Sequence, residues 1–510
     1  METDVDLLLI NPGGRKKVYQ ELSKELVAVE PPLWAGLIAG FIRPRGFSVQ
    51  ILDANAENLS PEEVADKVVQ TNPLLAAVVV YGHQPSATTQ TMPAAGAICT
   101  AIKERFPEIK ILMLGGHVAA LPERTLREED ADFVCGGEGP YTVLDLLEVL
   151  KSGPPSDYGK VRGLWYWENK VPRQNPPAPL VKDLDHEMPG AVWDLLPMEK
   201  YRAHNWHCFG GLKREPYASI YTTLGCPYHC TFCCIQAPFK PGEKTLGYKE
   251  EVNSYRFWSP AAVVGQIDKL VNQYGVRNIK FEDEMFVLNE KHVLGVCDLL
   301  IERGYDLNIW AYARIDTVKE HLLDKMRRAG IRWLGFGIES ASEHVRDIAA
   351  KSFGLNDIRK TLEKVRTAGI NFGANFIFGL PEDTLETMQE TLDMAIDLDP
   401  DWANFYSAMA YPGSKLYALA LKEKIPLPES WIGYSQHAYE TLPLPTKYVS
   451  AGEVLRFRDE AFEKFFRHPT YLAHIEKKFG PETLQHVNQM TARHRLKRKY
   501  IVPQEPHEVK

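Results

Sequence analysis

The run Leu224-Gly225-Cys226-Pro227-Tyr228-His229-Cys230-Thr231-Phe232-Cys233 places three cysteines at C-x3-C-x2-C spacing. Three thiols this close on one loop can wrap a single metal centre, because thiolate is the soft ligand that iron–sulfur clusters and zinc select. Three ligands from one loop leave a coordination position open, which argues for chemistry rather than a closed structural site. Spacing alone leaves two other readings: a zinc site completed by Cys234, His229 or Cys208, and a chance cluster.

Downstream of the loop the chain repeats one theme. A β-rich run at 218–222 leads into the cysteines, and further runs follow at 279–281, 307–311, 333–338, 371–378 and 405–409. Segments 260–274, 320–329, 357–368 and 384–398 have helical periodicity. Each strand ends in polar or turn residues: Glu282-Asp283-Glu284, Arg314 with Asp316, Glu339-Ser340, Gly379-Leu380-Pro381-Glu382 and Tyr411-Pro412-Gly413-Ser414. Six rounds are too few for a closed eightfold barrel. They predict an open six-stranded α/β barrel with its site at the strand ends.

Upstream, residues 1–152 read as five strand–helix rounds. The strands are expected at 5–10, 48–52, 76–81, 109–114 and 133–135, and the helices at 32–42, 61–71, 91–106, 122–129 and 141–151. The apolar run at 76–81 marks a strand buried on both faces. The pattern predicts a doubly wound parallel sheet with ligands at the C-terminal strand ends. The loops there are 11–14, 82–86, 115–117 and 136–139. None carries G-x-G-x-x-G, which disfavours a dinucleotide. Residues 153–215 read as a linker with a small hairpin around Leu164-Trp165-Tyr166-Trp167. His204, His207 and Cys208 precede the barrel and are weak metal candidates.

The cysteine loop, with its aromatic before the last Cys, resembles that of radical S-adenosylmethionine (SAM) enzymes. An α/β domain directly before it resembles the cobalamin-binding domain of the cobalamin-dependent members. The resemblance spans about residues 5–420 and rests on Val134-Cys135-Gly136-Gly137-Glu138-Gly139, on 9–12, 32–40 and 114–117, and on the strand ends above. It implies a Rossmann-like cobalamin-binding domain (1–152), a partial radical SAM barrel (216–420) and a helical C-terminal cap (421–510). It implies three cofactors: a [4Fe-4S] cluster, SAM and cobalamin. Cys226, Cys230 and Cys233 would hold the cluster. Phe232, Asp283, Arg314, Glu339, Ser340, Phe376 and Gly379 would meet SAM, with Glu282 beside Asp283 facing SAM or substrate. Asn11, Pro12, Trp34, Gly82, His83, Gln84, Ser86, Gly115, Gly116, His117, Gly137, Glu138 and Gly139 would meet cobalamin. The chain lacks D-x-H-x-x-G, so His83 stands either as a lower axial ligand or as a loop residue beside the corrin. His117 is expected at the nucleotide tail.

The implied reaction is methylation of an unactivated carbon through a 5′-deoxyadenosyl radical and methylcobalamin. Cyclisation or rearrangement without methyl transfer, a cobalamin sensor and a zinc-stabilised interaction protein are the alternatives. The chain has 510 residues, 45% apolar and 25% charged, with a formal net charge of −8. That charge gives no reason to expect nucleic acid, and the basic run 493–499 reads as a solvated face. Eight cysteines in this length are no disulfide framework. The N-terminus lacks signal-peptide regions, and the longest apolar runs are too short to span a bilayer. A cytoplasmic enzyme is expected, with a small-molecule substrate and an electron donor such as flavodoxin or ferredoxin. The aromatic tail, with Trp431, Tyr434, Tyr439 and 457–466, is expected to pack as helices at the barrel mouth.

Overall fold

The structure is a computed structural model, and it describes residues 4–23, 27–82, 85–154, 156–493 and 496–501. Its first five strands are β1 (Val5–Asn11), β2 (Val49–Asp53), β3 (Pro73–Val80), β4 (Ile111–Gly115) and β5 (Phe133–Cys135). They pair in parallel in the order β2-β1-β3-β4-β5. Alternation in β1 sends Leu7 and Leu9 to one core and Leu8 and Ile10 to the other. Both faces are therefore covered, as the apolar run in β3 requires.

Local signals set the helices. Pro61–Thr71 starts with Pro after Ser60, and Ser60 and Glu63 form a capping box. Helix Leu33–Ile42 is buried at all ten positions. A Cβ on its Gly40 would lie 2.3 Å from the Gly190 carbonyl oxygen, so glycine there lets the linker approach. The hairpin of β6 (Leu164–Glu168) and β7 (Val171–Gln174) is present. It does more than connect, since β6 pairs antiparallel with β5 and extends the sheet to seven strands.

The barrel is built from β8 (Tyr217–Ile220), β11 (Asn278–Phe281), β12 (Asn308–Ala313), β13 (Ile331–Glu339), β14 (Asn371–Phe378) and β15 (Trp402–Ser407). A small antiparallel pair, β9 (Thr223–Leu224) with β10 (Arg256–Phe257), brackets the cysteine loop. The six barrel strands are parallel in the order β15-β14-β13-β12-β11-β8, and the sheet stays open between its ends. The last strand begins three residues before its expected start. Pairing of Trp402 with Gly373 draws it back, a force the local sequence does not carry.

The tail differs from expectation in place. Helix Ala451–Phe466 packs on β14 and β15: Phe465 lies 5.5 Å from Phe405, Phe466 4.7 Å from Trp402 and Phe457 5.0 Å from Phe378. Trp431 sits in a short 3-10 turn instead and reaches the first domain, 4.4 Å from His117. Among the described residues, no helix is long and apolar enough to cross a membrane.

Candidate active site

The cysteine loop leaves β9 at the C-terminal end of the barrel, and polar residues hold its backbone. The Cys226 amide donates to Gln236 Oε1 at 3.1 Å. Asn253 Nδ2 donates to the carbonyls of Cys226 (2.9 Å) and Tyr228 (2.8 Å). Glu243 Oε1 accepts from the Ser254 amide and hydroxyl, each at 2.6 Å. Gln236, Glu243, Asn253 and Ser254 escaped the sequence reading, because nothing in their spacing ties them to the cysteines. The three thiols are unbridged and only partly covered.

Two of the three candidate fourth ligands for zinc are engaged elsewhere. Cys208 lies at the far end of the barrel, 3.6 Å from Asn278 at the start of β11. Cys234 packs with Met409 and Tyr411. Among the described residues, no three His, Cys, Asp or Glu side chains converge on a single ion. Three thiols spread around one loop suit the separate corners of a cluster.

Arg314 stands over this loop. Its guanidinium carbon is 3.8 Å from the centre of the Tyr228 ring, and Nη1 is 4.0 Å from Cys230 Sγ. Asp316 holds it from behind at 3.0 Å. Phe232 packs against Ile377, Leu380 and Ala408. Glu339 has a left-handed backbone (φ 71°) and pairs with Lys351.

Other expected SAM residues are already engaged by protein. Asp283 is fully buried and accepts from the amides of Thr222 (2.6 Å) and Thr223 (3.2 Å), fixing the chain just before the cysteines. Burial pushes its carboxyl up to about 6, against those hydrogen bonds. Ser340 Oγ meets Thr391 at 3.3 Å. Phe376 is fully buried and stacks on Phe405 at 5.6 Å. Gly379 (φ 82°) lets Val454 approach, since a Cβ there would lie 2.5 Å from it.

A cavity of about 300 Å³ lies between the two domains. Asn11, Pro12, Trp34 and Gly82 line it from the first domain, and Lys280, Tyr312, Asn404 and Tyr406 from the barrel interior. Trp34 stacks on Tyr81 at 4.3 Å. Lys280 is buried between Glu282 (3.0 Å) and Glu30 (3.5 Å). Burial opposes its charge, but the two carboxylates raise its pKa well above the usual lysine value.

Residues 220–395 match the radical SAM superfamily, and residues 23–147 match the B12-binding domain. An uncharacterised methyltransferase of Pyrococcus horikoshii is 29% identical over 87% of this chain and 89% of its own length. The chain belongs to the cobalamin-dependent radical SAM family. The anaerobic magnesium-protoporphyrin IX monomethyl ester cyclase of Rubrivivax gelatinosus is 26% identical over 91% of this chain and 78% of the relative. The fold matches the radical SAM methyltransferase TsrM of Kitasatospora setae, solved with cobalamin and a [4Fe-4S] cluster. That match has a TM-score of 0.66 and 16% identity, and it covers 96% of this chain and all of the other (100%).

The cofactors of this family are a [4Fe-4S] cluster, SAM and cobalamin, and the residues present fit them. Three free thiols on a partly exposed loop supply the cluster's donors. Gly137 is open towards the barrel, the nearest atom to an added Cβ being the Pro238 oxygen at 3.9 Å. Gly115 (φ 144°) lets β3 approach, because a Cβ would meet the Val80 oxygen at 2.0 Å. Gly116 lies beside Thr88 on the same side, and Gly139 (φ 117°) opens helix Pro140–Lys151. Two of the residues expected at cobalamin also make contacts within the protein. Glu138 joins the domains: it pairs with Arg256 at 2.7 Å and accepts from the Val181 amide at 2.9 Å. His117 is buried on Thr89 at 3.2 Å, and burial pushes its imidazole down to about 3. His83 and Gln84 lie outside the described residues, and Ser86 is described only as backbone in helix Pro85–Gln90.

Proposed function

We propose that this chain is a C-methyltransferase acting on an unactivated carbon of a small molecule. The observation that carries the reading is the cavity into which the corrin-side loops and the barrel interior both open. When bound, the three cofactors would supply radical generation at SAM and a methyl group at cobalt. The chain's own residues do the placing. Cys226, Cys230 and Cys233 would hold the cluster, leaving one position for SAM. Arg314, beside Cys230, is set to pair with the SAM carboxylate. Phe232 and the segment around Leu380 form an apolar seat for adenine. Asn11, Pro12, Trp34 and Gly82 would carry the corrin. The partly exposed cysteine loop suits electron delivery by a flavodoxin or ferredoxin, and oxygen-sensitive chemistry suits the cytoplasm.

The test is anaerobic reconstitution with iron, sulfide and hydroxocobalamin, followed by reductant and SAM. Methyl transfer predicts 5′-deoxyadenosine and S-adenosylhomocysteine together. Deoxyadenosine alone would favour the second reading, ring formation without methyl transfer. Likeness to the cyclase over 91% of this chain keeps that reading in view.

A further inference from the structure

Glu284 follows the acidic pair at the end of β11. Its Oε2 is buried and has no hydrogen-bond partner. It lines a crevice of about 30 Å³ between the domains. The opposite wall is Gly82, Thr88, Thr89, Gly116 and His117 from the first domain. Gly82, Gly116 and His117 are among the residues that the sequence resemblance places at cobalamin. Trp34, Tyr81, Gly82 and Tyr221 line both this crevice and the larger cavity, so the two adjoin.

The size selects the occupant. A water needs about 10–15 Å³ on this measure, so the crevice takes two or three heavy atoms and excludes a ring. A corrin carries neutral side arms that end in primary amides. Each offers an N–H donor and a carbonyl acceptor, which satisfy a carboxyl group in either protonation state. An unpaired buried carboxyl oxygen is destabilising unless something completes it.

We propose that this crevice is the subsite for one amide arm of the corrin, and that Glu284 is its hydrogen-bond partner from the barrel. A residue of the radical domain would thereby fix the rotation of the corrin about the axis through cobalt. The proposal rests on the functional reading only in that cobalamin occupies the cavity.

Glu284→Leu, Glu284→Ala and Glu284→Gln test it, by absorbance titration of the apo-protein with hydroxocobalamin and by SAM titration of the cluster-loaded protein. Replacing a carboxyl whose buried Oε2 has no partner by an apolar group should leave folding intact, and the alanine variant covers the case where leucine is not accommodated. The expected result is cobalamin affinity weakened about 10- to 100-fold in Glu284→Leu and Glu284→Ala. Glu284→Gln should stay within about threefold of wild type, and SAM affinity should be unchanged. Wild-type cobalamin affinity in the leucine and alanine variants would overturn the proposal, as would a loss confined to SAM. Failure of the wild-type protein to take up cobalamin would overturn the functional reading as well, and so is told apart from failure of the subsite.

Discussion

Single charged residues do different work here according to what they find across a domain boundary. Glu138 and Arg256 are 118 positions apart and meet as a buried ion pair. Removing one partner strands the other charge, at a cost of about 3–5 kcal/mol. Glu138→Ala should therefore lower the melting temperature by several degrees. Glu138→Gln with Arg256→Met should recover most of the loss, and equal melting of the single and double variants would argue against the pair. Cys230 belongs to the same scale. Cys230→Ala should abolish 5′-deoxyadenosine formation and lower bound iron and sulfide, and retained SAM cleavage would sink the cluster assignment. The cysteines were legible because three ligands sit within one local stretch. Asp283 and Glu284 are adjacent, yet one is spent on the Thr222 and Thr223 amides and the other faces a crevice. Burial raises Glu284 to about 8. No local pattern separates the two.

Among the elements, helix Pro469–Phe479 shows how the tail is fastened. His474 lies 3.1 Å from Asp399 and 2.9 Å from Asp401, just ahead of β15, and Lys478 and Tyr471 bond the same Asp401. Donation of its ring N–H groups to the Asp399 and Asp401 carboxylates raises His474 to about 9. An unfolded histidine titrates at about 6.5, so the folded state binds the proton more tightly. The stabilisation is complete below about pH 6.5 and is lost as pH rises through 9. Partial exposure limits it to about 1–3 kcal/mol. His474→Gln should melt below wild type at pH 6, with the gap closing by about pH 9.5; a gap independent of pH would show that packing alone holds the helix. Periodicity made this helical tail legible. It left open which surface the tail covers, because an apolar helix face fits any complementary strand pair.

For the whole molecule, the cavity depends on both domains holding their places. Glu30, Lys280 and Glu282 form one such join, and Tyr217 donates to Glu30 at 2.8 Å. A ligand that binds only the folded state stabilises it, by about 2.7 kcal/mol at a hundredfold excess over Kd. Hydroxocobalamin should accordingly raise the melting temperature of the intact chain in one shifted transition. A shift absent at saturating cobalamin would contradict an interdomain seat.

The sequence by itself determined the order of strands and helices, the parallel sheet and the open barrel, and it marked the cysteine loop as a candidate metal centre. Each of these rests on residues close together in the chain, through periodicity, capping and ligand spacing. The tertiary structure alone decided that Glu138 bridges the domains, that Phe376 is core, that β6 and β7 extend the first sheet and that Trp431 reaches His117. Those outcomes depend on which distant groups meet when apolar surface is buried, and a buried charge or ring takes its role from the partner it meets there.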